Sequence, residues 1–105
     1  MLIKTNTDDN ITNSDALKER TETAVRNVLD RFSDHVTRVE IHLSDENSNK
    51  KSGTADMRCL LEARLKGLQP IAVTDEAATV EEAVDGAARK MRRSLDSILG
   101  RLQKH

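Results

Sequence analysis

From Thr79 to His105 the apolar residues return every three or four positions: Val80, Val84, Ala87, Met91, Leu95, Ile98 and Leu102. That interval places them on one side of a helix with 3.6 residues per turn. Thr79 followed by Glu82 is a capping box, in which the hydroxyl accepts from the N3 amide and the carboxylate reaches back. A helix this long with one apolar stripe must bury it against another layer, and that requirement constrains everything before it. Lys90, Arg93, Arg101 and Lys104 fall on a narrow stripe of their own, flanked by Arg89 and Arg92. The spacing predicts that this stripe points away from the core, where packing gives it no task.

The preceding chain supplies the other layer. Leu2–Thr7 reads as a short strand, with Leu2 or Ile3 facing inward, and residues 8–13 as a polar turn. Ser14 caps a first helix carrying Leu17, Ala24, Val25, Val28, Leu29 and Phe32 on one face. Val39, Ile41 and Leu43 alternate with Arg38, Glu40 and His42, the pattern of a half-buried strand over Val36–Ser44. A polar connection over residues 45–55 leads to a second alternating strand, with Met57, Cys59, Leu61, Ala63 and Leu65 on one side. Lys66-Gly67-Leu68 turns the chain, and Pro70 opens a last strand, Ile71–Thr74, as an edge or entry position allows. The order β-α-β-β-β-α is that of an α+β two-layer sandwich, with both helices on one face of the sheet and the other face open to solvent. With 105 residues, one domain spanning 1–105 is expected.

The formal charge of -1 conceals a polarity. From residue 89 onward six cations oppose the single acid Asp96, for a balance of +5; the preceding residues carry -6. A domain polarised in this way offers its basic end to a polyanion. The cations have a plain reading, a solvated helix surface, and a functional one, a row that tracks phosphates without reading bases. The second reading points to the shape of folded RNA and to binding that weakens with salt.

Other chemistry finds little footing. Phe32 is the one aromatic residue, against base-stacking platforms. Cys59 is the one cysteine, on the inward side of its strand, a structural thiol rather than a nucleophile. Neither a signal peptide nor a membrane-spanning run is seen, so a soluble, cytoplasmic protein is expected. Asp45, Asn47, Asn49 and Asp56 fall at calcium-loop positions, but Lys50 replaces the required glycine and the flanks read as strands. Asn10-Ile-Thr12 is a glycosylation sequon without meaning in a protein that is not secreted. His35, His42 and His105 share no metal-ligand spacing. Glu81, Glu82 and Asp85 lie in the first turns of a helix, where acids are favoured without any catalytic role. No enzyme activity and no cofactor are expected.

The run Val84-Asp-Gly-Ala-Ala-Arg-Lys-Met-Arg-Arg-Ser-Leu95 resembles the signature helix of the ribosome hibernation-promoting factor and ribosome-associated inhibitor family. Lys90, Arg93 and Leu95 match its Lys-Leu-x-Arg-Gln-Leu core, with Met91 and Ser94 in place of the first Leu and the Gln. Asp15-Ala-Leu-Lys18 and Arg31-Phe32 fall where the family opens and closes its first helix. Ser97 and Leu99 stand where the family commonly places lysines, and Ala24 and Asn27 where its first helix carries cations. The tyrosine it often has before the second helix is missing.

The resemblance implies a four-stranded sheet backed by two helices, similar to a double-stranded-RNA-binding fold. It further implies docking in the mRNA and tRNA channel of the small ribosomal subunit, where the factor silences translation in stationary phase or stress. The rRNA contacts implied are Lys90 and Arg93 first, then Arg101, Lys104, Arg89 and Arg92, with Lys18 and Arg26 on the first helix. Ending at His105, the chain resembles the short form of the family. DNA, a membrane and a small-molecule substrate are not expected partners. Arg58, Arg64 and Lys66 share the outer side of their strand as a second patch. The alternative function is a protein-interaction module that kept the fold, lost ribosome affinity and uses its acidic part on a basic protein.

Overall fold

The computed structural model describes residues 1–9, 11, 14–46 and 56–103. The calcium-like positions 47, 49 and 50, the sequon residues 10 and 12, most of the polar connection, and Lys104 with His105 lie outside them. The elements run β1 (Leu2–Thr7), α1 (Asp15–Leu29), a 3-10 turn (Asp30–Phe32), β2 (Val36–Asp45), β3 (Met57–Leu65), β4 (Ile71–Ala77) and α2 (Val80–Gln103). The sheet has the order β1-β2-β3-β4. The β1–α1–β2 crossover makes the first pair parallel, and the hairpins make the other two antiparallel.

Both helix starts follow from their caps. Ser14 has extended backbone and its Oγ accepts the Leu17 amide at 3.0 Å. Thr79 Oγ1 accepts the Glu82 amide at 3.1 Å, and its hydroxyl lies 3.2 Å from Glu82 Oε1, so the carboxylate reaches back to the hydroxyl rather than to the amide. Between β3 and β4 the chain reverses at Gly67, whose φ of +70° suits a residue without Cβ.

The alternation in β2 and β3 holds. Val39, Ile41, Leu43, Cys59, Leu61, Ala63 and Leu65 are buried under the helices, joined by Val25, Leu29 and Phe32 from the first half and by Ala83, Val84, Ala87, Ala88, Met91, Leu95 and Leu99 from α2. Of the two β1 options, Ile3 turns toward the core while Leu2 is exposed. Thr5, one step further on the same side, is buried with its hydroxyl satisfied by Glu22 of α1 at 3.0 Å.

Four expectations need correction. Ala24 is exposed and Thr21 takes its place, because Thr21, Val25 and Leu29 form the four-residue ladder that meets the sheet. On α2, Leu99 is 7% exposed and Leu102 54%, so the apolar stripe passes through Leu95 to Leu99 and leaves Leu102 in solvent. A 24-residue helix is about 36 Å long, whereas the nine-residue β3 spans about 30 Å. The last turn therefore has no sheet beneath it. Third, β4 continues past Thr74 to Ala77, with Ile71, Val73, Asp75 and Ala77 all turned toward α2. The fourth, that packing gives the basic stripe no task, belongs to the interface itself.

Candidate nucleic-acid interface

Helix α2 crosses the sheet with α1 on one flank and the β4 edge on the other. On the α1 flank, Glu81 lies 4.0 Å from Arg20, and Asp96 takes the Arg31 guanidinium. The β4 flank is a shallow groove bordered by Ile71, Val73, Lys90, Arg93, Ile98 and Arg101, with Ser94 and Ser97 between them. The described cations of the basic stripe are exposed, as the spacing predicts, and Lys90, Arg93 and Arg101 also border this groove beside the edge strand β4. The strand face of the groove is aliphatic and the helix rim is cationic.

The cations differ in what already holds them. Lys90 Nζ sits 2.9 Å from Asp75 Oδ1 and 2.8 Å from the Thr74 carbonyl, so packing against β4 does explain this residue. Its ammonium also covers a carbonyl of the edge strand, one way in which proteins blunt an open sheet edge. Arg89 is paired with Asp85 one turn earlier at 2.9 Å. Arg101 donates to Ser97 Oγ at 2.8 Å, a neutral partner that leaves its charge uncompensated. Arg92 and Arg93 are exposed and have no ion-pair or hydrogen-bond partner among the described residues.

The first helix contributes less. Lys18 is half-buried near its start, and Arg26 in its last turn reaches the Met1 carbonyl at 3.5 Å, the limit of a hydrogen bond. The outer sheet face is mixed in charge. Arg58 stands opposite Glu76 and Arg64 opposite Arg38, whose Nε is held by Glu40 at 3.0 Å. Arg58 and Arg64 therefore share their face with acids, and no continuous basic patch forms there.

Sequence reasoning missed Asp75 and Gly86. Asp75 sits inside the sandwich margin with its side chain 23% exposed. An added Cβ on Gly86 would lie 1.9 Å from its Oδ2, so the glycine makes the room that the carboxylate occupies. A glycine one turn before a lysine was the available signal. Cys59, the cross-strand partner of Asp75, has its thiol pushed up to about 12 by burial and, secondarily, by the Asp75 charge. It is wholly buried and unsuited to nucleophilic chemistry.

A model for the Sigma 54 modulation protein / S30EA ribosomal protein family matches residues 5–103. The chain belongs to that family. This is the ribosome-associated, hibernation-promoting group that the α2 motif resembles. Two solved structures share the fold. The N-terminal domain of Thermus thermophilus Protein Y superposes with a TM-score of 0.73 at 23% identity, covering 93% of this chain and 99% of that one. A ribosomal subunit interface protein from Coxiella burnetii gives 0.75 at 18% identity, covering 95% and 99%. No curated protein sequence matches the chain. Within the S30EA family frame, the four-stranded α+β fold with helices on one face is the shared architecture. No helix among the described residues is long and apolar enough to cross a membrane.

Proposed function

We propose that this S30EA-family protein is a cytoplasmic, non-enzymatic factor that binds rRNA of the small ribosomal subunit in the mRNA and tRNA channel. Occupying that channel, it silences translation in stationary phase or stress. The observation that carries the reading is the exposed Arg92–Arg93 step on the rim of α2, without a partner among the described residues, on a fold whose family is ribosome-associated. Arg93 leads the phosphate contacts, with Arg92 and Arg101 beside it. Lys90 and Arg89 come after them because each already has a carboxylate. Lys104, Lys18 and Arg26 extend the set. Phosphate contacts of this kind position a protein on folded RNA without reading its sequence.

The test is sedimentation through sucrose gradients at low and raised salt, with the wild type and an R92E/R93E variant. The wild type comigrates with small subunits at low salt and leaves them as salt rises. The double variant, folded but acidic on the rim, stays at the top. Comigration that the reversal leaves untouched removes α2 from the mechanism. A second reading draws on the acidic part of the chain, which carries a balance of -6 before residue 89. There a basic protein is the partner, and affinity capture recovers protein rather than rRNA.

A further inference from the structure

We propose that Asp75 is a built-in attenuator of the α2 surface: it holds Lys90 in a neutral pair and so lowers the protein's affinity for a polyanion. This rests on the reading that α2 meets RNA, and it names the residue that tunes that contact. Three observations locate the carboxylate. It lies 2.9 Å from Lys90 Nζ. It fills the space over Gly86, where a Cβ would come within 1.9 Å of Oδ2 and 2.6 Å of Cγ. Its charge is felt by Cys59 across the strand pair.

The carboxylate is the fixed member of the pair. Asp75 is carried on a strand and its side chain is 23% exposed, against 44% for Lys90, so the lysine comes to the acid. The Thr74 carbonyl takes a second ammonium proton at 2.8 Å, which adds to the hold. Arg89 and Asp85 differ: both lie on the exposed surface of one helix, with side chains 63% and 52% exposed, and either can swing aside. A phosphate approaching Lys90 meets a pair with no net charge and a carboxylate that repels it. Counterions leave the polyanion when a protein cation neutralises a phosphate, and Lys90 is already neutralised by Asp75. Of the two residues that the motif resemblance implies first for RNA, Lys90 and Arg93, Asp75 withholds Lys90 in this chain.

The experiment is a double-mutant cycle read as the slope of log K against log salt. The probes are isolated small ribosomal subunits and immobilised inorganic polyphosphate. D75N frees one cation, so the slope steepens by roughly 0.7–0.9 units, the increment of one phosphate contact. In the K90Q background D75N frees no cation and only removes the carboxylate's repulsion, so the slope changes by less, and K90Q alone flattens the slope by less than a full phosphate contact. E19Q removes one exposed acid elsewhere and gives the small shift expected of net charge alone. G86A, which drives the carboxylate from its seat, shifts the slope in the same direction and serves as the second variant should D75N disturb folding. Coupling on both probes supports the proposal. Coupling on polyphosphate, with no binding of any variant to subunits, sinks the ribosomal reading and leaves the attenuator standing. An equal D75N effect with and without Lys90, or no D75N effect on either probe, overturns the attenuator.

Discussion

One guanidinium nitrogen of Arg31 reaches both carboxylate oxygens of Asp96, at 2.5 and 2.6 Å, and the Arg31 guanidinium carbon lies 4.7 Å from the centre of the Phe32 ring. The contact ties the turn after α1 to the middle of α2 across 65 residues of chain. It also commits the one acid of the basic segment, so that Arg92 and Arg93 face solvent without it.

Both partners of this pair are more than half exposed, and screening limits its value. The D96A variant is expected to lose less than about 1 kcal/mol. R31A is expected to lose more than D96A, because it also strips the cover from Phe32. Urea unfolding at two salt concentrations checks both: a shifted midpoint with unchanged slope is the expected signature. Equal losses in the two variants would mean that the cover over Phe32 contributes nothing.

The two leucines at the end of α2 make a sharper contrast. Leu95 is fully buried and Leu102 is 54% exposed. Truncating Leu95 to alanine is expected to cost about 2–5 kcal/mol. The same change at Leu102 stays within about 0.5 kcal/mol. Thermal unfolding of the two variants measures this. A loss at Leu102 comparable to that at Leu95 would show the last turn packing on something.

What the sequence made legible was whatever depends on short-range pattern. Ser14 and Thr79 mark the helix starts because a cap is a contact between residues three apart. The faces of β2 and β3 follow from alternation, since a pleated strand allows only two. The misses at Asp75 and at the end of α2 depend on neighbours distant in the chain. Asp75 reads as turn material until Lys90 and Gly86, 15 and 11 positions later in sequence, are seen to receive its carboxylate. Leu99 and Leu102 are equally apolar, and only the length of the sheet decides between them. At the interface, position on α2 was readable, but the state of each cation was not. Lys90 and Arg93 match the motif equally well, yet one is bound to β4 and the other is open.

Cys59 offers a pH test. Its folded-state value of about 12 lies above the ordinary value of 9.0 expected for the unfolded chain. Below pH 9 the thiol is protonated in both states, and its contribution to stability is complete. Above that the unfolded state ionises first and binds fewer protons than the folded one, so stability falls as pH rises toward 12. The slope from this group is about 1.4 kcal/mol per pH unit. The stability gap between wild type and C59A, from urea unfolding at pH 7.5 to 10.5, is therefore expected to narrow with pH. A constant gap across that range would place the thiol in contact with water. Slow reaction of native protein with a thiol reagent at pH 8 is the companion result.

The state of each arginine on α2 ranks the single substitutions. Arg93 has no partner among the described residues, whereas Arg89 is held by Asp85 at 2.9 Å. Changing either to glutamine removes one formal charge, so net charge alone predicts equal losses of subunit affinity. Pairing predicts otherwise. R93Q is expected to flatten the salt dependence by roughly 0.7–0.9 units, while R89Q, which leaves Asp85 unpaired in solvent, flattens it by less. Truncating a helix-surface arginine costs the fold within about 0.5 kcal/mol, so both proteins remain cooperative in unfolding. Binding isotherms on small subunits at four salt concentrations separate the two accounts, and a larger effect from R89Q would show that the exposed i,i+4 pair opens to meet the ligand.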